Sequence, residues 1–218
     1  MGNRNRSTFH MAALLVLILN AAGCVSLSNF QTADVTRSVE YGSGGVGITA
    51  TSVTPTDEAV TDDIYEDETY TMVTFLWRYG FNERIDIGGK VYGVTPFVGF
   101  ALDSKYQFIE GDAFDAAINA GAAITEVEIG DSDNSYVDYF GGLLFTLNMS
   151  DTASVTLAPK AIFRDINTDV TDETATLVGG TVTLEFGKED GMRIYPEIGF
   201  YKSDEADFLH YGIGFRWW

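Results

Sequence analysis

Few residues of this chain belong to types that carry covalent, redox or acid-base chemistry. One cysteine, Cys24, and two histidines, His10 and His210, are present among 218 residues. A single thiol cannot form an intramolecular disulfide, and these three side chains fall short of the ligand set of a structural zinc site. We therefore expect no disulfide, no metal centre and no cofactor.

Cys24 ends a segment with the layout of a secretory signal. Arg4 and Arg6 precede an apolar run at 11–19, and small residues stand directly before the cysteine: Ala21, Ala22 and Gly23. Such a run is typical of a cleaved signal, because a membrane-spanning helix needs roughly 20 apolar residues. The sequence thus predicts export and no transmembrane helix in the mature chain.

The tetrapeptide ending at Cys24 resembles the lipobox of bacterial lipoproteins. The resemblance implies that the signal peptide, 1–23, is removed and that Cys24 is acylated on its thiol and on its new amino terminus. In lipobox families an Asp after the cysteine retains the protein at the inner membrane, and Val25 here implies the outer membrane instead. The sequence departs from the lipobox at Ala21, a position at which leucine is commonest in that motif. An ordinary signal peptidase site and a stray cysteine remain the alternatives.

His210 is the only histidine that follows the signal. A barrel hydrolase such as a lipid A deacylase or an omptin-like protease needs a nucleophile or a second acid beside its histidine. The neighbours Tyr211 and Gly212 form no such motif. We therefore predict no catalytic residue, and we expect His210 to bond to a side chain of a neighbouring strand.

Acidic residues concentrate in the segments between predicted strands. The segment 50–68 is the longest, and smaller acidic clusters follow at 131–133, 169–173 and 204–207. Asp131 begins a run that resembles a calcium loop but lacks its glycine and its distant glutamate. We interpret these carboxylates as solvated surface, with divalent cations that bridge lipopolysaccharide as the alternative partner.

The composition limits the function classes. The formal net charge is -19, from 32 acidic and 13 basic residues. This balance repels phosphate backbones, so no nucleic-acid partner is expected. A hydrophobic fraction of 45% and an aromatic fraction of 13% indicate one folded domain.

The elements that position these residues are predicted strands. Segments of about ten residues alternate apolar with small or polar side chains, a pattern typical of antiparallel β-structure. In the last of them Leu209, Tyr211 and Ile213 lie opposite His210 and Gly212. Ten strands are predicted near 38–49, 69–79, 84–93, 97–109, 114–129, 136–149, 153–166, 174–187, 192–202 and 208–217.

The charged residues within strands share the face opposite the apolar side chains. Charges of both signs on that face fit the interior of a narrow closed barrel, where they can pair with each other. The predicted lumen residues are Arg78, Arg84, Asp86, Lys90, Asp103, Lys105, Lys160, Arg164, Glu185, Arg193, Glu197 and Arg216. Phe140 and Tyr195 are also expected inside. A soluble sandwich or lipocalin-like barrel remains the alternative fold.

The end of the chain carries a second resemblance. Aromatic residues cluster toward strand ends, as in interfacial girdles. The terminal sequence from Phe215 to Trp218 resembles the closing strand of outer-membrane β-barrel proteins, which typically end in an aromatic residue read by the barrel-assembly machinery. With Cys24, it resembles the small lipoprotein barrels of Gram-negative bacteria. The implied partners are outer-membrane lipid, lipopolysaccharide, and the barrel-assembly and lipoprotein-processing machineries.

We therefore predict an all-β fold, a closed antiparallel up-and-down transmembrane barrel of about ten strands at 38–218, after a signal at 1–23 and a tether at 24–37. A bend without reversal at Pro96 would reduce the count to eight or nine. Turns at 81–84, 110–113, 150–153 and 188–191 are short and predicted to be periplasmic.

The leading functional hypothesis is a non-enzymatic barrel with a structural or surface-interaction role, acidic extracellular loops and a lumen filled by side chains. The alternatives are a narrow channel for small solutes, a barrel hydrolase acting on lipid or peptide, and a soluble periplasmic lipoprotein with a lipocalin-like fold.

Overall fold

The chain folds into ten strands that close on themselves. The computed structural model describes residues 42–56, 69–94, 97–129, 132–167, 172–187, 191–204 and 207–217. Each strand pairs with its neighbours in the chain, and β1 pairs with β10, so the sheet is a closed barrel. The strands are β1 (Gly44–Pro55), β2 (Tyr70–Gly80), β3 (Ile85–Val94), β4 (Phe97–Ile109), β5 (Phe114–Ile129), β6 (Ser132–Ser150), β7 (Ala153–Asn167), β8 (Asp172–Gly187), β9 (Met192–Lys202) and β10 (Asp207–Trp217).

The predicted fold class and strand count are confirmed. All ten ladders are antiparallel. The chain reverses between β3 and β4, since Val94 pairs with Phe97, which excludes the bend that would have lowered the count. Each hairpin buries alternate residues on one face, because successive side chains of a strand point to opposite sides.

The alternation is inverted relative to a water-soluble sheet. In β4 the large apolar residues Phe100, Leu102 and Tyr106 are exposed, whereas Asp103 and Lys105 are buried inside the barrel. The same inversion runs around the barrel, and Phe75 and Val98 are 61% and 62% exposed. A soluble lipocalin-like barrel would bury its apolar face and expose its charges. That alternative is therefore wrong.

Several predicted strand boundaries were wrong by a few residues. β1 begins at Gly44 and runs to Pro55, so part of the predicted acidic loop at 50–68 is strand. Its β-branched residues Thr49, Thr51 and Val53 favour extended backbone and point into the barrel. β6 begins at Ser132, which places Asp133 in a strand rather than a turn. Likewise, β8 begins at Asp172.

The two ends of the barrel differ. One end carries short connections at 81–84, 110–113 and 151–152, and we call it the turn end. The opposite end, the loop end, carries one long connection at 56–69 and short ones at 95–96, 130–131, 168–171 and 203–206. Of these, 57–68, 95–96, 130–131, 168–171 and 205–206 lie outside the described residues. No helix in the described part of the chain is long and apolar enough to cross a membrane.

Candidate functional site

The charged residues predicted inside strands lie on the inner face of different strands, so they converge in the barrel interior, or lumen. The structure buries most of the predicted set there: Arg78, Asp86, Lys90, Asp103, Lys105, Lys160, Arg164, Glu185, Glu197 and Arg216. Arg193 reaches the same space with a side chain that is 11% exposed. Phe140 and Tyr195 are buried as predicted.

An ionic cluster occupies the turn-end half of the lumen. The Arg78 guanidinium forms ion pairs with both Asp86 and Asp103. Lys105 Nζ lies 3.3 Å from Asp86 Oδ2. These four side chains come from three adjacent strands, since Gly88 and Asp103 are paired across β3 and β4 and Arg78 and Gly88 across β2 and β3. Pairing offsets the desolvation that buried charges suffer.

A second polar group surrounds Glu185 on β8, also at the turn end. Glu185 accepts a hydrogen bond from Ser154 at 2.9 Å and forms an ion pair with Arg193. On the other side of the same space Asp115 accepts hydrogen bonds from Asn148 at 2.8 Å and from the Gly111 amide at 3.1 Å. Between these groups a cavity of about 420 Å³ enters the barrel.

The loop-end half of the lumen contains an apolar cluster, here called the apolar plug. Its members each lie nearer the loop end of their strand than the turn end, and they form one packed group across the barrel. The plug consists of Val53, Met72, Tyr92, Ala101, Ala123, Phe140, Ile162, Leu177 and Tyr201, with Phe208 packed against it. Tyr92, Ile162 and Tyr201 are at most 2% exposed.

Glycines give the large rings of the plug their space. The ring of Tyr92 lies directly over Gly99, so that a Cβ on Gly99 would collide with it. A Cβ on Gly121 would lie 2.5 Å from Phe140 Cζ. The small residues predicted on the polar face therefore serve to admit aromatic rings across the lumen.

On the loop side of the plug, Arg164 and Asp138 form a bidentate ion pair. Both nitrogen-to-oxygen distances are 2.7 Å, and Tyr136 lies 5.5 Å from the Arg164 guanidinium carbon. This is the geometry in which an arginine-carboxylate pair is strongest. The pair holds β6 and β7 together above the plug.

His210 lies inside the barrel and contacts a neighbouring strand, as predicted. Its Nε2 atom lies 2.8 Å from Oε1 of Glu197 on β9, and the Thr183 hydroxyl donates to Oε2 of the same carboxylate at 2.6 Å. Neither ring nitrogen makes a well-directed hydrogen bond with a described residue. His210 is fully buried, and a Cβ on Gly199 would lie 2.6 Å from Nδ1.

The other predictions for the site have mixed outcomes. Arg84 was predicted inside the barrel and this was wrong, because Asn82 caps the turn through the amides of Arg84 and Ile85 and leaves the arginine exposed. Asp115 was missed, although its alternation with Ala117 and Asn119 was a usable signal. Cys24 and the acidic segment 57–68 lie outside the described residues.

No cluster of three or more potential metal ligands occurs in the ranges that the structure describes. The contacts that the structure shows in the lumen are ion pairs, hydrogen bonds and apolar packing. The arrangement can hold the barrel in one register and can block passage through it.

Comparison with known proteins gives structural relatives only. No protein-family profile and no curated protein sequence matches the chain. The fold is similar to an outer membrane channel from Pseudomonas putida F1, with a TM-score of 0.58 and 10% identity over 83% of this chain and 97% of that one. It is also similar to the β domain of the Bordetella autotransporter BrkA, with a TM-score of 0.52 and 9% identity over 80% of this chain and 98% of that one. The likeness shows that the chain has the fold of outer-membrane β-barrels.

Proposed function

We propose that the chain is a lipid-anchored outer-membrane barrel with a closed lumen, which acts through the surface it presents at its loop end and performs no turnover. Its outer face carries the large apolar side chains, as contact with lipid tails requires. Its shortest strand, β3, has 10 residues, which suffices to cross a bilayer with the usual tilt.

The proposed orientation follows from the amino-terminal anchor. The described chain enters β1 at the turn end, next to the turn at 81–84, through hydrogen bonds between Gly42 and Gly80 and between Gly80 and Ser43. If Cys24 is acylated in the inner leaflet of the outer membrane, the turn end is periplasmic. The acidic segment 57–68 then faces outward, where its carboxylates can hold divalent cations that bridge lipopolysaccharide.

The apolar plug is the observation that carries the closed-lumen proposal. A pore for ions or small polar solutes needs a continuous water path. The plug instead packs aromatic and aliphatic side chains from all ten strands against one another, and such an apolar constriction opposes the passage of water and ions.

Conductance in planar bilayers tests this proposal. We expect the wild type to insert without current steps, because the plug interrupts the water path. The double variant Tyr201→Ala/Leu177→Ala should give steps, because it removes two plug side chains above the polar half of the lumen. A matched control, Phe200→Ala/Val178→Ala, changes the lipid-facing neighbours. Steps in the wild type would contradict a closed lumen.

The lipid anchor has its own test. Incorporation of radiolabelled palmitate should occur in the wild type and be lost in Cys24→Ser, because acylation requires the thiol. Heat-modifiable gel mobility of a membrane fraction should persist in both, since the strands and not the anchor hold the barrel. Equal labelling of Cys24→Ser would show that this cysteine is not the anchor.

A narrow channel is the second candidate, and the turn-end cavity favours it. That cavity of about 420 Å³ opens into the polar half of the lumen from the turn end. The structural similarity to a protein named an outer membrane channel is consistent with this candidate. Current steps from the wild type would select it over the closed barrel.

A further inference from the structure

β8 extends past its neighbour at the loop end. β8 begins at Asp172 and pairs with β7 from that residue onward, whereas its ladder with β9 begins only at the pair Val178 and Lys202. Among the described residues, the segment Asp172–Leu177 therefore has a strand on one side only. We call this segment the β8 edge.

The β8 edge lies outside the hydrocarbon layer if the proposed orientation in the membrane holds. β9 has 11 residues, which is already enough to cross the hydrocarbon layer. The β8 edge continues beyond the level of Lys202, the last residue of β9. An unpaired amide in hydrocarbon costs several kcal/mol, so an open edge is tolerated only in water. The exposed side chains of the edge, Thr174 and Thr176, are polar.

The backbone direction along β8 identifies the open hydrogen-bonding groups. The Gly187 amide donates to the Thr152 carbonyl at 3.0 Å, so Gly187 turns its backbone groups toward β7. Since successive residues alternate in direction, Thr174 and Thr176 turn their N–H and C=O groups toward the side on which no described strand pairs with them, here called the open side. The β8–β9 ladder supports this direction, because it is interrupted at Leu184, where the register places Pro196 opposite. A proline has no N–H to donate, so the lost pair indicates that Leu184, and with it every second residue back to Thr174, turns its backbone groups toward the β9 side.

The surroundings of the β8 edge are acidic. Its sequence includes Asp172 and Glu173, Asp165 is exposed and pairs with Thr174, and Asp204 is exposed just beyond β9. The nearby cation Lys202 is engaged, with Nζ 3.4 Å from Asp207 Oδ1. A second copy of this chain or the segment 57–68 would bring like charge to the edge, so the complementary partner is basic.

We propose that the β8 edge takes up an extended basic segment of a partner polypeptide as an added strand. The open N–H and C=O groups of Thr174 and Thr176 supply the main-chain hydrogen bonds, and the acidic surroundings select lysine and arginine side chains. The inference rests on the proposed function for its orientation, and it names the class of partner for the loop-end surface.

The test measures binding of synthetic peptides to the detergent-solubilised full chain by calorimetry. The probe is a peptide of about ten residues, a typical strand length, that alternates lysine with valine, and its counterpart carries glutamate for lysine. We expect the lysine peptide to bind and the glutamate peptide not to bind. Equal binding of both, or of neither, would overturn the proposal.

Two double variants separate strand addition from attraction by charge alone. Thr174→Pro/Thr176→Pro removes the two open amides and keeps every charge, and Thr174→Ala/Thr176→Ala keeps the amides. We expect about ten- to hundredfold weaker binding for the proline variant and no change for the alanine variant. Equal binding of the lysine peptide by both variants would overturn strand addition.

A second measurement leaves the protein unchanged. The lysine peptide is N-methylated at alternate residues in two versions, one with the odd-numbered and one with the even-numbered amides blocked. Only the version that blocks the peptide amides facing the edge should lose binding. Loss of binding in both versions, or retention in both, would contradict the proposal. A variant that lacks 57–68 is measured with the unmethylated lysine peptide. Stronger binding by that variant would also contradict the proposal, because it would show that the chain's own segment covers the edge.

Heat-modifiable gel mobility of the same samples distinguishes failure of the β8 edge proposal from failure of the outer-membrane barrel proposal. A folded barrel that fails to bind the lysine peptide contradicts the β8 edge proposal alone. Loss of the mobility shift in the wild type contradicts the outer-membrane barrel proposal itself.

Discussion

The two halves of the lumen are closed in different ways. The turn-end half is held by ion pairs such as Arg78 with Asp86, and a cavity enters it from outside. The loop-end half is filled by the apolar plug, whose rings pack over glycines. The difference shows that one barrel interior can combine a largely charge-paired region with a largely apolar one. A substitution in each half should therefore lower the stability of the barrel for a different physical reason.

Asp86→Ala should produce the largest effect, because it breaks the ionic half at its centre. Asp86 is fully buried and serves both Arg78 and Lys105. Removing one partner of a buried pair typically costs about 3–5 kcal/mol. Urea unfolding in lipid vesicles measures the loss. Asp112→Ala, an exposed acid at the same end, is the control and should change stability by less than about 0.5 kcal/mol. Equal effects of the two would contradict the ionic cluster.

Gly99→Ala tests the packed half by overfilling it. The new methyl group meets the ring of Tyr92, and such overpacking typically costs about 1–3 kcal/mol. Unfolding in the same vesicles measures it, and Tyr92→Ala in addition should relieve the clash between the two residues. Gly141→Ala is the matched control, because the nearest atom to its Cβ would be 3.7 Å away. If Gly99→Ala proves as mild as Gly141→Ala, the plug is loosely packed.

Thr156→Val should produce the smallest loss of stability. It compares a neutral hydrogen bond in the polar half with the ion pairs of Asp86 in the same half. Thr146 and Thr156 share a buried hydrogen bond of 2.7 Å between their hydroxyl groups. Loss of one neutral partner costs about 0.5–1.5 kcal/mol. The double variant Thr146→Val/Thr156→Val should recover part of this free energy of unfolding, because both polar groups are then absent. A double variant less stable than the sum of the singles would contradict a simple pair.

The residue pattern predicted the number of strands and the face on which most charges lie. Alternation alone placed Asp103 and Lys105 opposite Leu102 and Tyr106, and the structure confirms it. Arg84 was misplaced because the Asn82 side chain accepts the amides of the turn, so β3 begins one residue later than the alternation indicates. The start of β1 was misplaced because alternation is weak in a run of glycines.

The sequence by itself determined the period, the face and the strand count, because these depend on side-chain order within about ten residues, the length of one strand. Only the tertiary structure decided which side chains meet across the lumen. The pairing of Arg78 with Asp103, the packing of Tyr92 over Gly99 and the open edge of β8 depend on register and on unequal strand lengths. These properties belong to the closed sheet, since register is set jointly by all ten ladders and not by any one segment.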